Sequence, residues 1–177
     1  MPTITDPVLL ETATSFEQLA DEAFIATQDD DQKIELLNAL FTSLKAYSRA
    51  WKSRVSAANS LNGPGCPDGW DSCPDGSCVP SGAGCGEGLN FADGKLILKV
   101  KSEAIEGQAE PSVSEVGLEF DDAKKFLTGY ITDAASTYFD LAQTEELRQQ
   151  TRLLLEIAML DFKSFAAAKA TPPDLVE

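Results

Sequence analysis

Four cysteines, Cys66, Cys73, Cys78 and Cys85, fall in a short stretch made largely of Gly, Pro, Asp and Ser. No other feature restricts the fold of this chain as much. From Gly63 to Gly88 the only sizeable apolar side chains besides the cysteines are Trp70 and Val79. Such a segment cannot bury a core of its own. It also contains no helical periodicity, so it divides the chain into two halves that must be read separately.

Both halves read as helical. Asp6-Pro7 has the form of an N-cap followed by proline at the first helical position. Ser15-Phe16-Glu17-Gln18 has capping-box form. Together they predict a first helix within 7–27 with a break near Thr14. Gln28 to Asp31 forms the turn, and its carboxylates suit the next helix N-terminus. In the second helix Ile34, Leu37, Phe41, Leu44, Trp51 and Val55 follow a 3,4 alternation, with Ser48 filling one seam position and Leu36, Leu40 and Tyr47 widening the stripe. About 30 residues of helix would span roughly 45 Å. Gly63-Pro64-Gly65 is its expected stop.

After the cysteine stretch the period changes to two. Leu89 and Phe91 precede Asp93-Gly94, a type I′ hairpin signal. Leu96, Leu98 and Val100 then alternate with Ile97, Lys99 and Lys101, and Val116, Leu118 and Phe120 alternate again beyond a polar, turn-like 105–112. Two or three short antiparallel strands are predicted. Asp121-Asp122 is expected to cap a third helix buried along Ala123, Phe126, Leu127, Tyr130, Ile131, Ala134 and Tyr138. Thr144-Glu145-Glu146 starts a fourth, which ends at Pro172-Pro173. The fourth helix carries Leu147, Leu153, Leu154, Ile157, Ala158, Leu160, Phe162 and Phe165, apolar around much of its circumference. It is expected to sit centrally. No solenoid-type repeat is present. The fold class is therefore mainly α: a bundle of about four helices, with 1–62 and 120–177 supplying a helical pair each. Residues 63–119 form an inserted, projecting arm, the Cys-rich loop 63–88 followed by the β segment 89–119.

Charge and composition narrow the function. The chain has 177 residues and a net charge of −15, which opposes direct contact with nucleic acid or an anionic membrane, both polyanions. No run approaches the roughly 20 apolar residues of a membrane span. Met1 to Pro7 has neither a basic n-region nor an apolar h-region, so synthesis in the cytoplasm without a signal peptide is expected. Histidine is absent, which removes the commonest general base, metal ligand and triad partner. With no catalytic constellation in view, neither an enzyme nor a cofactor is expected.

The cysteines are spaced C-x6-C-x4-C-x6-C, and Cys66-Pro67-Asp68-Gly69 recurs as Cys73-Pro74-Asp75-Gly76. Three states are open to them: two disulfides, free thiols, or a four-thiolate metal site. The even count and the Gly/Pro density favour disulfides. Only Cys73/Cys78 approximates a zinc knuckle, so no metal is expected. Pairing is left open among the three possible connectivities. The run from Cys73 to Cys85 resembles the middle of an LDL-receptor class A repeat, with Cys66 in the place of that repeat's first cysteine. The fifth and sixth cysteines and the acidic calcium cage have no counterpart here, so the resemblance implies neither calcium binding nor receptor function and adds only to the disulfide reading. Asp68, Asp71 and Asp75 do not match an EF-hand loop, and turn-forming Asp-Gly pairs account for them.

Three further groups are candidate interaction residues. Trp70, at the loop's tip, is either an interface anchor or the cover of the disulfides. Lys45, Arg49 and Lys52, with Arg54 nearby, either meet an acidic partner or form a solvated helix face near a C-terminus. Leu96, Leu98 and Val100 give the hairpin an apolar face that must meet helices of the same chain or a neighbour. The leading expectation is a structural protein of a large symmetric assembly, a phage virion component of connector or capsid-decorating type, acting through contacts with other protein subunits. A secreted or surface disulfide-stapled module is the alternative, and a four-cysteine metal or redox protein the third.

Overall fold

The structure, a computed structural model, describes residues 4–59, 66–67, 69–86, 88–101 and 113–170. The expected helix stops at Gly63-Pro64-Gly65 and Pro172-Pro173, the turn at 105–112, and Asp68 lie outside them. In chain order the elements are α1 (Pro7–Ala26), α2 (Asp30–Asn59), β1 (Trp70–Ser72), β2 (Cys78–Pro80), β3 (Phe91–Ala92), β4 (Lys95–Lys101), β5 (Val113–Glu119), α3 (Phe120–Leu141) and α4 (Glu145–Ala170). This is the helical bundle with an inserted cysteine loop and small antiparallel sheet.

Asp6 caps α1 by accepting a hydrogen bond from the Leu9 amide at 2.9 Å, with Pro7 next. The break near Thr14 does not occur. Leu9, Ala13, Phe16, Ala20 and Phe24 form one uninterrupted buried stripe, and this packing overrides the capping-box signal at Ser15. Thr144 caps α4 through the Leu147 amide at 3.1 Å. Asp121 and Asp122 lie in the first turn of α3 and not at its cap, where Glu119 stands without a side-chain bond. They favour the helix through its dipole.

Helix directions follow from the pairs that touch. Asp6 meets Arg152 and Phe16 meets Phe162, so α1 and α4 run parallel. Asp21 meets Lys124 and Glu17 meets Thr132, so α3 opposes α1. Lys33 lies by the Phe120 ring while Tyr47 and Trp51 pack on Tyr138, so α2 and α3 run parallel. Parallel neighbours in a bundle need a connection that returns along its full length. The inserted segment supplies that return.

The sheet is antiparallel in the order β3-β4-β5, with Leu96 opposite Leu118 and Leu98 opposite Val116. Asp93 and Gly94 both have positive φ, 53° and 76°, as a type I′ turn requires. β1 and β2 form a separate two-stranded ribbon inside the cysteine loop. The arm does not project. Trp70, Cys73, Cys78, Val79, Leu96 and Leu98 belong to the same buried cluster as the helices. The physical reason is the shortage of apolar residues in the loop: its few large side chains gain nothing alone and are buried only against the bundle. No described helix is long and apolar enough to cross a membrane.

Candidate functional site

The loop runs back along one polar face of α2. Asn38, Lys45, Ser48, Arg49 and Lys52 share this face at helical spacings of 7, 3, 4 and 3–4. Their partners follow in reverse chain order. Lys52 Nζ lies 3.2 Å from Cys66 Sγ and 3.4 Å from Ser72 Oγ. Arg49 pairs with Asp75 at 3.3 Å. The Ser48 hydroxyl accepts from the Cys78 amide at 2.9 Å, Lys45 donates to the Gly86 carbonyl at 3.1 Å, and Asn38 Oδ1 accepts from the Leu89 amide at 2.7 Å. The basic stripe Lys45, Arg49, Lys52 is thus the track on which the chain's own loop lies. Ser48, expected only to fill a seam position of the apolar stripe, instead accepts from the loop, and Asn38 carried no sequence expectation, although its spacing from the three cations places it on the same face.

All four cysteines are paired, Cys66 with Cys78 and Cys73 with Cys85. The two staples interleave, each closing a separation of 12 residues. Free thiols and a four-thiolate metal site are thereby displaced as readings of this loop. Among the described residues no cluster of three or more metal-ligating side chains occurs.

Trp70 packs against α3 of the same chain. It is buried, and its ring stacks on Tyr130 at 3.5 Å and more distantly on Phe126 at 6.0 Å. Tyr130 and Tyr138 touch through their hydroxyls at 3.3 Å, and the Tyr138 hydroxyl lies 3.5 Å from Cys78 Sγ. Tyr47 and Trp51 pack on Tyr138. The chain's three tyrosines and two tryptophans are therefore gathered at one disulfide. Burial pushes the Tyr47 and Tyr130 hydroxyls well above their ordinary pKa, and Tyr138 up to about 12. These phenols keep their protons. Tyr47 Oη and Trp51 Nε1 are buried without a hydrogen-bond partner. Burial lowers the pKa of Lys52, and the nearby Asp75 carboxylate partly opposes that. Asp75 itself is held below the usual carboxylate range, chiefly by the Ser77 hydroxyl and then the Ser77 amide.

The hairpin is tied to the loop by the Lys99 amide, which donates to the Gly82 carbonyl at 2.9 Å. A Cβ on Gly82 would sit 2.5 Å from the Lys99 carbonyl oxygen, and its φ is +87°, so no other residue fits there. Leu96 and Leu98 turn inward to the common core. Val100 pairs with Ser114 in the ladder, and its side chain lies outside the described ones. An open cleft of about 890 Å³ remains between the loop and the outer side of β4, lined by Asp71, Ser81, Gly82, Asn90, Ile97 and Lys99 among others.

The outer face of α4 differs. α4 buries Leu147, Leu155, Ala158 and Phe162, but Leu153, Ile157 and Leu160 are 56%, 52% and 46% exposed. At i, i+4 and i+7 these three form a ridge facing directly away from the core. The expectation that α4 sits centrally is corrected: it is one of four helices around a shared core, and no described residue covers its second apolar face. Comparison with protein-family models, characterised proteins and solved structures finds no match to this chain.

Proposed function

We propose that this protein is a non-enzymatic structural subunit that assembles with further copies of itself, and that the outer face of α4 is the contact. The observation that carries this reading is the Leu153–Ile157–Leu160 ridge, an apolar stripe on a helix whose other face already lies in the core. A twofold contact requires a surface that complements itself. Antiparallel pairing of two such ridges sets Leu153 of one copy against Leu160 of the other and leaves Ile157 near the axis. α4 then becomes central in the assembly, which is what its sequence pattern asks for. The arm contributes a second exposed feature, the outer edge of β5 around Val116, which is 43% exposed.

Two disulfides support a final location in oxidising surroundings. A virion component made in the cytoplasm and oxidised after release fits that requirement, as does an extracellular module. Sedimentation velocity over a concentration series tests the assembly reading. The full chain is expected to associate, more strongly as moderate salt screens its net charge of −15. Ile157→Glu is expected to abolish association while the helical circular dichroism is unchanged. A wild-type chain that stays monomeric throughout would refute the proposal.

A further inference from the structure

We infer that the Cys66–Cys78 disulfide is a reversible exchange site for a small anionic thiol, entered at Cys66. Each of its sulfurs meets a polar group suited to the step. Cys66 is partly exposed, while Cys78 is fully buried, so an incoming thiolate reaches only Cys66. Lys52 Nζ stands 3.2 Å from Cys66 Sγ, and the Ser72 hydroxyl is also 3.2 Å away. Lys52 is itself nearly buried, 9% exposed, and a cation held there attracts an anionic nucleophile and stabilises charge on sulfur. On the inner side the Tyr138 hydroxyl lies 3.5 Å from Cys78 Sγ and is followed by the Tyr130 hydroxyl at 3.3 Å. This pair of hydroxyls can donate in series to a thiolate formed on Cys78. Among the described residues, no side-chain hydrogen bond reaches the sulfurs of the Cys73–Cys85 pair.

The chemistry balances with two equivalents of thiol. The first thiolate attacks Cys66 Sγ and forms a mixed disulfide there. The Cys66–Cys78 bond breaks, and its electron pair leaves on Cys78 Sγ, held by Tyr138 until water supplies a proton. A second thiolate attacks the outer sulfur of the mixed disulfide, releasing Cys66 as a thiolate beside Lys52 and the small molecule as its own disulfide. The protein disulfide is reduced and two thiols are oxidised. Opening this staple removes one of the loop's two covalent ties and leaves the β1–β2 pairing and the Cys73–Cys85 bond to hold Trp70 on Tyr130.

The test uses the oxidised full-length protein with reduced glutathione as the anionic probe and cysteamine as a cationic one. Acid quenching, alkylation and peptide mass spectrometry locate the adduct and the freed thiol, and the Cys73–Cys85 bond in the same tube serves as the reference rate. The expected result is a glutathione adduct on Cys66 with a free thiol on Cys78. Lys52→Gln should slow glutathione entry relative to the reference by about tenfold, should slow cysteamine much less, and Lys52→Arg should restore the glutathione rate. An adduct on Cys78, no exchange at Cys66, or a rate ratio unchanged by Lys52→Gln would overturn the inference.

Discussion

Two apolar surfaces of this molecule meet opposite fates. The first, formed by Tyr47, Trp51, Tyr130 and Tyr138 on α2 and α3, is closed from above by Trp70, Cys78 and Val79 of the cysteine loop. The second, Leu153, Ile157 and Leu160 on α4, is left open. Both look alike in a hydrophobicity pattern. They differ because the parallel arrangement of α2 and α3 forces a long return connection across the first surface, and among the described residues no connection passes over the second. A surface covered by the chain's own connection belongs to folding. A surface that no described segment covers is where the proposed contact between copies lies.

The largest effect that would break this contrast is removal of the cover. Replacing 66–88 with a Gly/Ser linker is expected to abolish or severely weaken cooperative unfolding followed by near-ultraviolet circular dichroism, because Tyr130 and Tyr138 lose their lid. Unchanged cooperative melting would return the loop to the status of an appendage. Next in size is a paired substitution. Trp70→Ala should destabilise by about 3–5 kcal/mol in urea titration, the range for a large aromatic lost from a core. Ile157→Ala, on the open ridge, should stay within about 0.5 kcal/mol for the dissociated chain, as surface changes do.

A smaller effect sharpens the role of the α1–α4 edge. Arg152 grips Asp6 with Nε at 3.0 Å and Nη2 at 2.8 Å, and this bond holds the Asp6 carboxyl below its usual pKa. A carboxylate depressed in the folded state stabilises above its unfolded value of about 3.9. That contribution is lost as pH falls through the lower, folded value. Asp6→Asn should therefore flatten the acid limb of stability against pH below about 4, and Asp6→Ala should cost about 1 kcal/mol at neutral pH through the lost cap alone. The smallest expected effect is at Tyr47, whose buried hydroxyl has no partner. Tyr47→Phe should be neutral to stabilising by about 1 kcal/mol in the same titration.

Helix identities, the hairpin turn at Asp93-Gly94 and the alternation of Leu96 and Leu98 were legible in the sequence because each is a local pattern with its own period. The basic stripe was legible too, but its partner was not. Periodicity places Lys45, Arg49 and Lys52 on one face, and it cannot say that Asp75 and the Gly86 carbonyl of the same chain will lie on that face. Helix direction was equally hidden, since it depends on pairs such as Phe16–Phe162 that are far apart in sequence. The helical period of α4 was visible while its position was misjudged. A helix apolar on two sides is central only when something covers the second side. The disulfide pairing, Cys66–Cys78 and Cys73–Cys85, has no local pattern that distinguishes it from the other two connectivities.

Native-state hydrogen exchange at single-amide resolution tests most directly whether the cysteine loop belongs to the core. The informative amides are Cys78, bonded to the Ser48 hydroxyl, and Lys99, bonded to the Gly82 carbonyl. Both are expected to exchange only through the global opening that also exposes the buried amides of α2 and α3, with the same free energy and the same denaturant dependence. Exchange at Cys78 and Lys99 orders of magnitude faster than in those helices would contradict it, and would show the loop opening on its own while the bundle stays folded.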